Sequence, residues 1–296
     1  MSYKDYLQRL LFEDTGARCV FVKLETVIEE VLSRGDYSPG ESRLLGEALL
    51  LVALMSSGLK FAGRICLQLR GSGPLQLLLA DCSDKGGLRG MMVWKDGAEK
   101  LSVQLGLRDV LAEDTVLSLT LDPSDGGQRW QGIVELEGES LAEAVSAYFA
   151  RSEQLPTFFK LAMDGSRGGA LMLQRMPEAK VDDTDEGWNR LQHLFGSVSR
   201  EELLTLDGEV LMRRLFHEEA RRLFPARELS FHCPCSRDRV SEVLVSLGEK
   251  ELREMAAASE PTEVRCQFCN QRYMFDGLDL LALAHADSPA VDPTVH

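Results

Sequence analysis

The chain is short of positive charge, of aromatic residues and of every motif that marks a nucleotide-using enzyme. Against 47 Asp and Glu stand 33 Lys and Arg, a net charge of −14, and each of the segments 1–178, 179–230 and 231–287 carries its own acidic excess. Phosphate backbones are bound by basic surfaces, so no segment offers a nucleic-acid face. The longest apolar run, Leu44 to Met55, is interrupted by Glu47 and falls short of the ~20 residues that cross a bilayer, so it reads as a buried helix and no membrane partner is expected. The amino terminus scatters charges among its apolar residues and shows no signal-peptide core, which predicts a cytoplasmic protein. Gly71-Ser-Gly73 and Gly86-Gly-Leu-Arg-Gly90 lack the dinucleotide spacing, and no Gly-Lys-Ser/Thr loop, Gly-x-Ser-x-Gly elbow or His-Glu-x-x-His follows, so the glycines read as turns. These absences predict a protein that is not an enzyme and works without ATP.

What the chain has is an unusual use of cysteine. Four of its seven sit in two tight pairs, Cys233-Pro234-Cys235 and Cys266-Gln267-Phe268-Cys269, with thirty residues between them. Two thiols from each of two places can surround one small volume, as tetrahedral Zn²⁺ requires, which makes Cys233, Cys235, Cys266 and Cys269 candidate zinc ligands. Thiols one or two residues apart are also placed to bond to each other. The spacing therefore leaves open a structural Cys₄ site and a site that exchanges metal for disulfides. Cys19, Cys66 and Cys82 are isolated in or beside apolar stretches and read as core residues. His232 adjoins the first pair, but four sulfurs already satisfy zinc. His193 and His217 have no carboxylate or serine constellation near them in sequence and read as surface or packing residues.

With 296 residues and 44% hydrophobic content the chain can build one sizeable core and a smaller unit. An α+β fold is expected: an N-terminal mixed sheet-and-helix domain over 1–178, an amphipathic helical connector over 179–230, a small Cys₄ zinc domain over 231–287 and a polar tail over 288–296. In the first part, Arg64 to Arg70 and Val116 to Leu121 alternate as strands, and Asp122-Pro-Ser-Asp-Gly-Gly127 turns the chain toward a strand at Trp130 to Leu136. Helices are predicted from Arg43 to Ser57 and from the capping box at Ser140 to the stop at Pro156. The connector opens on the acidic stretch Val181 to Gly187 and places Trp188, Leu191, Leu194 and Phe195 on one helix face. After a capping box at Ser199 come Leu203, Leu204, Leu206, Val210, Leu211, Leu215 and Phe216. Such a stripe either packs permanently on the first domain or docks reversibly. The third part adds helices after Ser236 and near Lys250, a short strand at Tyr273 and Phe275 and a last helix at Leu278 to Ala284. Its few large apolar groups make a poor core, so its fold should depend on metal.

Phe231-His-Cys-Pro-Cys-Ser-Arg-Asp-Arg239, Leu247-Gly248 and Cys266-Gln-Phe-Cys269 with Tyr273-Met-Phe275 resemble the redox-switch domain of the 33 kDa chaperonin family, the bacterial redox-regulated heat-shock holdases. Gln131 to Gly138, Ser140-Leu-Ala-Glu143, Tyr148 to Thr157 and Gly87-Leu-Arg-Gly90 are similar to that family's first domain. The resemblance implies a reduced, zinc-bound form that is inactive. On oxidation with heat, Cys266 bonds to Cys269 and Cys233 to Cys235, zinc leaves and the connector unfolds. The exposed apolar surface then holds unfolding client proteins, and the oxidised form is a homodimer. Two other classes fit a cysteine cluster. A zinc-ribbon module of a nucleic-acid or transcription complex would need a basic face, which the acidic balance of 231–287 opposes. A C-x-x-C thiol oxidoreductase would need Cys266 at a helix start inside a βαβ unit, and no such unit is visible.

Overall fold

In a computed structural model of the chain, residues 3–98, 107, 111–135, 138–176, 185–258 and 260–286 are described. The expected strand end at Leu136, the acidic residues 181–184 and the tail at 288–296 lie outside them. The architecture is α+β, and the chain divides into two compact units, residues 1–232 and 233–296.

Among the described residues the larger unit contains two six-stranded sheets. The first orders β10 (Arg221–Leu223), β1 (Tyr6–Phe12), β2 (Ala17–Leu24), β9 (Arg167–Arg175) and β8 (Thr157–Asp164), with β11 (Arg227–Glu228) beside β10 on β1. The second orders β12 (Ser230–Phe231), β5 (Gly87–Trp94), β4 (Leu75–Ser83), β3 (Gly63–Arg70), β6 (Val116–Pro123) and β7 (Trp130–Glu135). All pairs are antiparallel except β12 with β5. The short helix α1 (Thr26–Leu32) is capped from a distance, because the buried Asp5 carboxylate accepts the backbone N–H groups of Glu25, Thr26 and Val27 at 2.7–3.2 Å.

Helix α2 (Pro39–Ser56) packs on strands of both sheets. Fourteen of its residues are buried, which is why its apolar run shows no polar face. It starts four residues before the expected Arg43, because Ser38 and Glu41 close a capping box around Pro39, with Glu41 N–H on Ser38 Oγ at 3.3 Å and Ser38 N–H on the Glu41 carboxylate at 2.5 Å. Helix α3 (Leu141–Arg151) is capped by Ser140 Oγ, which accepts the Glu143 N–H at 3.3 Å, but the expected capping box forms only by half, because the Glu143 carboxylate accepts the Glu139 N–H at 2.7 Å; the helix ends before Pro156, since Gln154 turns into the left-handed region at φ 54°. Gly87–Gly90 is not part of a turn; it opens β5, and the bend before it runs through Asp84 and Lys85, closed by the Gly86 N–H on Ser83 O at 2.9 Å with Gly86 left-handed at φ 86°.

Strands β1, β2 and β9 are buried on both faces. Val20, Val22, Leu24, Ala170 and Met172 face the core around α2, while Ala17, Cys19, Phe21, Leu171 and Leu173 face a second cluster. That cluster is roofed by the connector: α4 (Asp185–Gly196), α5 (Arg200–Thr205) and α6 (Gly208–Leu215). Trp188, Leu191, Phe195, Val198, Leu203, Leu211, Met212 and Phe216 are buried there. Val210 is 53% exposed and does not belong to the stripe; Leu211 and Met212 take the sheet-facing positions. The approach is close enough that a Cβ on Gly169 in β9 would stand 2.0 Å from the Leu203 carbonyl oxygen. The Tyr6 hydroxyl oxygen reaches the same seam and accepts the Gly208 N–H at 2.7 Å.

Candidate metal centre

In the smaller unit, Cys233 and Cys235 immediately precede α7 (Arg237–Val245), whose first turn is capped by Ser236 Oγ accepting the Arg239 N–H at 3.2 Å. Cys266 and Cys269 occupy the turn between β13 (Thr262–Arg265) and β14 (Arg272–Phe275). The turn is closed by Asn270 N–H on Cys266 O at 2.8 Å and Cys266 N–H on Gln271 O at 3.0 Å, with Asn270 left-handed at φ 57°. Asparagine tolerates that conformation better than most residues. Helix α8 (Glu249–Ala256) and helix α9 (Gly277–Ala286) belong to the same unit.

Arg237 ties the two cysteine-bearing segments together. Its guanidinium lies 4.3 Å over the Phe275 ring, donates to Met274 O at 2.6 Å and pairs with Asp279 at 2.7 Å. The apolar core beneath consists of Leu244, Leu252, Phe275, Leu280 and Ala284, with partly buried neighbours.

The four sulfurs lie within 4.8 Å of one another and could hold a metal ion. Cys233 Sγ is 3.7 Å from Cys266 Sγ, and Cys235 Sγ is 3.3 Å from Cys269 Sγ. Thiolates at about 2.3 Å from a tetrahedral zinc stand roughly 3.8 Å apart, so the donor set and its spacing fit that ion. All seven cysteines are free thiols. Burial raises the pKa of the Cys269 thiol, against an opposing hydrogen bond from the Gln271 backbone; a divalent cation reverses that balance by favouring thiolate. The phenol of Tyr273 donates to Cys235 Sγ at 3.2 Å, a bond that pushes its own pKa up to about 12. The sequence marks Tyr273 only as an alternating strand residue; nothing in the pattern shows that it reaches a sulfur.

The remaining candidates stand apart from the cluster. Cys19 and Cys82 are fully buried, and Cys66 is partly so. Burial pushes the Cys66 thiol up to about 12 and the Cys82 thiol up to about 11, and raises Cys19 further still, which makes all three poor nucleophiles. His232 belongs to the larger unit, where its N–H donates to Leu88 O at 2.9 Å. His193 and His217 are exposed on the connector.

Fold and site together define a two-unit α+β protein with a four-cysteine, metal-capable C-terminal unit. The chain matches the family described as Hsp33 protein over residues 5–276 and belongs to that family. Two proteins named 33 kDa chaperonin are similar along their entire lengths, from Pseudomonas paraeruginosa at 43% identity and from Azotobacter vinelandii at 44%, with 100% of each chain covered. The crystal structure of a 33 kDa chaperonin from Thermotoga maritima shares the fold, with a TM-score of 0.78 at 24% identity over 96% of this chain and 99% of that one. Among the described residues no helix is long and apolar enough to cross a membrane.

Proposed function

We propose that the protein is a redox-regulated, ATP-independent holdase of the cytoplasm, silent when reduced and active toward unfolding client proteins once oxidised. The observation that carries this reading is the cluster of four sulfurs in a unit whose core has five buried apolar side chains. A bound Zn²⁺ keeps four sulfurs deprotonated and supplies on the order of 10–16 kcal/mol of folding free energy to such a unit. Cys233, Cys235, Cys266 and Cys269 are its ligands in this reading.

The chemistry of activation belongs to the cysteines. A thiolate of one pair attacks peroxide, cleaving the O–O bond and becoming a sulfenic acid while hydroxide leaves. The neighbouring thiolate then attacks that sulfur, a disulfide forms and a second hydroxide departs, so two thiolates, one peroxide and two protons from solvent give one disulfide and two waters. Because every sulfur lies within 4.8 Å of the others, proximity alone does not select the partner. Closure of Cys266 with Cys269 and of Cys233 with Cys235 crosses only short spans of chain and leaves the two segments free to separate. A bond between the pairs would keep them joined. With the sulfurs consumed, the small core cannot hold the unit folded.

The segment that precedes Cys233 makes β12, β11 and β10 on the sheet edges and the connector roof above β1, β2 and β9. Loss of the C-terminal fold frees that segment to undock, which uncovers Phe21, Leu171 and Leu173 together with the connector's own apolar face. This surface receives clients, and the oxidised form is a homodimer. The test is zinc release measured together with suppression of aggregation of a heat-unfolded test protein, before and after peroxide with mild heating, with peptide mapping of the products. Joint appearance of zinc release, both within-pair disulfides and holdase activity is expected. Activity in the reduced, zinc-loaded protein, or a predominant Cys235 to Cys266 bond, would reject the scheme.

A further inference from the structure

Between the two sheets of the larger unit, beside the C-terminal end of α2, lies a cavity of about 370 Å³. That is within the range of small-molecule sites, about 300–1,000 Å³. Met55, Ile65, Leu119 and Met172 give it apolar walls, and the half-exposed Trp130 stands at its rim. Into this apolar space projects a cation. Arg18 lies on the same face of β2 as Val20 and Val22, and its Nε donates to Gln174 Oε1 at 2.9 Å. Gln174 is held in turn by its own donation to Thr157 Oγ1 at 2.8 Å.

Neither Nη of Arg18 has a hydrogen-bond or carboxylate partner among the described residues. Burial and the nearby Arg9 charge lower the Arg18 pKa to about 10, so it remains charged at neutral pH in a place that penalises charge. The acid that lines the same cavity, Glu153, accepts the hydroxyl of Tyr148, another lining residue, on Oε1 at 2.8 Å, and forms no ion pair with Arg18. The end of the guanidinium is left open by Gly58, where a Cβ would come within 3.1 Å of Nη2. Between the lining residues Glu153 and Leu155, Gln154 holds the left-handed conformation at φ 54°. For a residue other than glycine, such strain is common at ligand sites.

We propose that this cavity binds a small organic monoanion, a carboxylate carrying a short apolar chain or ring, with the carboxylate on the Nη edge of Arg18 and the apolar part along Met55, Leu119 and Met172. A guanidinium offers a carboxylate two parallel N–H donors. Among the described residues that line the cavity Arg18 is the one cation, and Glu153 puts a carboxylate in the same lining, which selects against a dianion such as phosphate. The apolar walls select against a small hydrophilic acid. This site is independent of the cysteine cluster and of the redox reading above.

The probe is octanoate, with 1-octanol as its uncharged counterpart, titrated into the reduced full-length protein by calorimetry and by tryptophan fluorescence. One saturable octanoate site per chain is expected, with a fluorescence change that disappears in Trp130→Phe. Octanol binds at least tenfold more weakly. Arg18→Gln weakens octanoate at least tenfold and leaves octanol unchanged. Absence of saturable octanoate binding, equal affinity for octanoate and octanol, or equal octanoate affinity in Arg18→Gln would overturn the proposal. Should Arg18→Gln fail to fold, Gly58→Ala probes the same position by crowding Nη2. A severalfold loss of octanoate affinity there supports the site, and an unchanged affinity rejects it.

Discussion

Gly169→Ala tests reversible docking of the connector without altering any connector residue. In the closed structure the added Cβ would meet the Leu203 carbonyl oxygen at 2.0 Å and the carbonyl carbon at 2.7 Å, where ordinary contact begins at 3.4 Å. The obstacle is backbone at the end of α5, so relief requires the connector to lift by about 1.4 Å, the difference between those distances. Overpacking of this kind costs about 1–3 kcal/mol. When the connector is undocked the same alanine has open space. The strand is formed in both states, so alanine's preference over glycine there cancels, and the overpacking alone shifts the docking equilibrium toward the open state by about 1–3 kcal/mol, or roughly 5- to 150-fold. Hydrogen exchange of the reduced, zinc-loaded variant should show residues 185–216 losing protection while residues 233–286 keep theirs, and holdase activity should appear without oxidant. Gly168→Ala is the matched control: its Cβ meets side chains of Met163, Leu50 and Ile28 on the opposite face. It should loosen the inner core and leave connector protection ahead of it unchanged. If Gly169→Ala leaves protection over 185–216 intact, or loses it only with the whole of the larger unit, the connector is ordinary core and the docking argument fails.

Cys266→Ser should abolish zinc binding and unfold residues 233–286, read as lost metal content and lost exchange protection there; retention of one zinc per chain would show that the four sulfurs are not its ligands. Tyr273→Phe removes the donor on Cys235, and loss of such a second contact should weaken metal affinity about 10- to 100-fold and speed zinc release by peroxide; an unchanged chelator competition curve would assign Tyr273 to packing alone. The connector should also loosen in acid. Hydrogen bonds from the Ser199 backbone and hydroxyl hold Glu202 below its ordinary pKa of 4.5, and hydrogen bonding by Arg190 does the same for Glu219. A carboxylate depressed in the folded state contributes stability that is complete above about pH 4.5 and is lost as pH falls through the lower folded value. Emission of Trp188, with Trp94 and Trp130 replaced by Phe, should therefore shift to the red on acidification, and Glu202→Gln with Glu219→Gln should flatten that transition; an identical acid profile in the double variant would remove these two groups from the account.

Local chemistry was legible wherever a residue acts on its own neighbours. Ser140 and Ser199 announce their helices because a cap is made within four residues, and Cys-x-Cys with Cys-x-x-Cys announces a four-sulfur cluster because each pair is already assembled by the chain. The alternating strand β3 was readable for the same reason, since a strand with one face more open leaves its period in the sequence; β6 alternates in sequence too, although its polar Ser118 and Thr120 are buried. Strands β1, β2 and β9 left no such period, because α2 covers one face and the connector the other, and burial on both sides erases alternation. What the connector's stripe lies against, the exposure of Val210 and the bare approach at Gly169 depend on residues more than thirty positions distant. So do the reach of Tyr273 to Cys235 and the lone guanidinium of Arg18 between two sheets. Composition and spacing determine which groups exist and which are covalent neighbours; only the closed chain decides which polar atoms are left facing a sulfur, a cavity or nothing, because that depends on desolvation and distance in three dimensions.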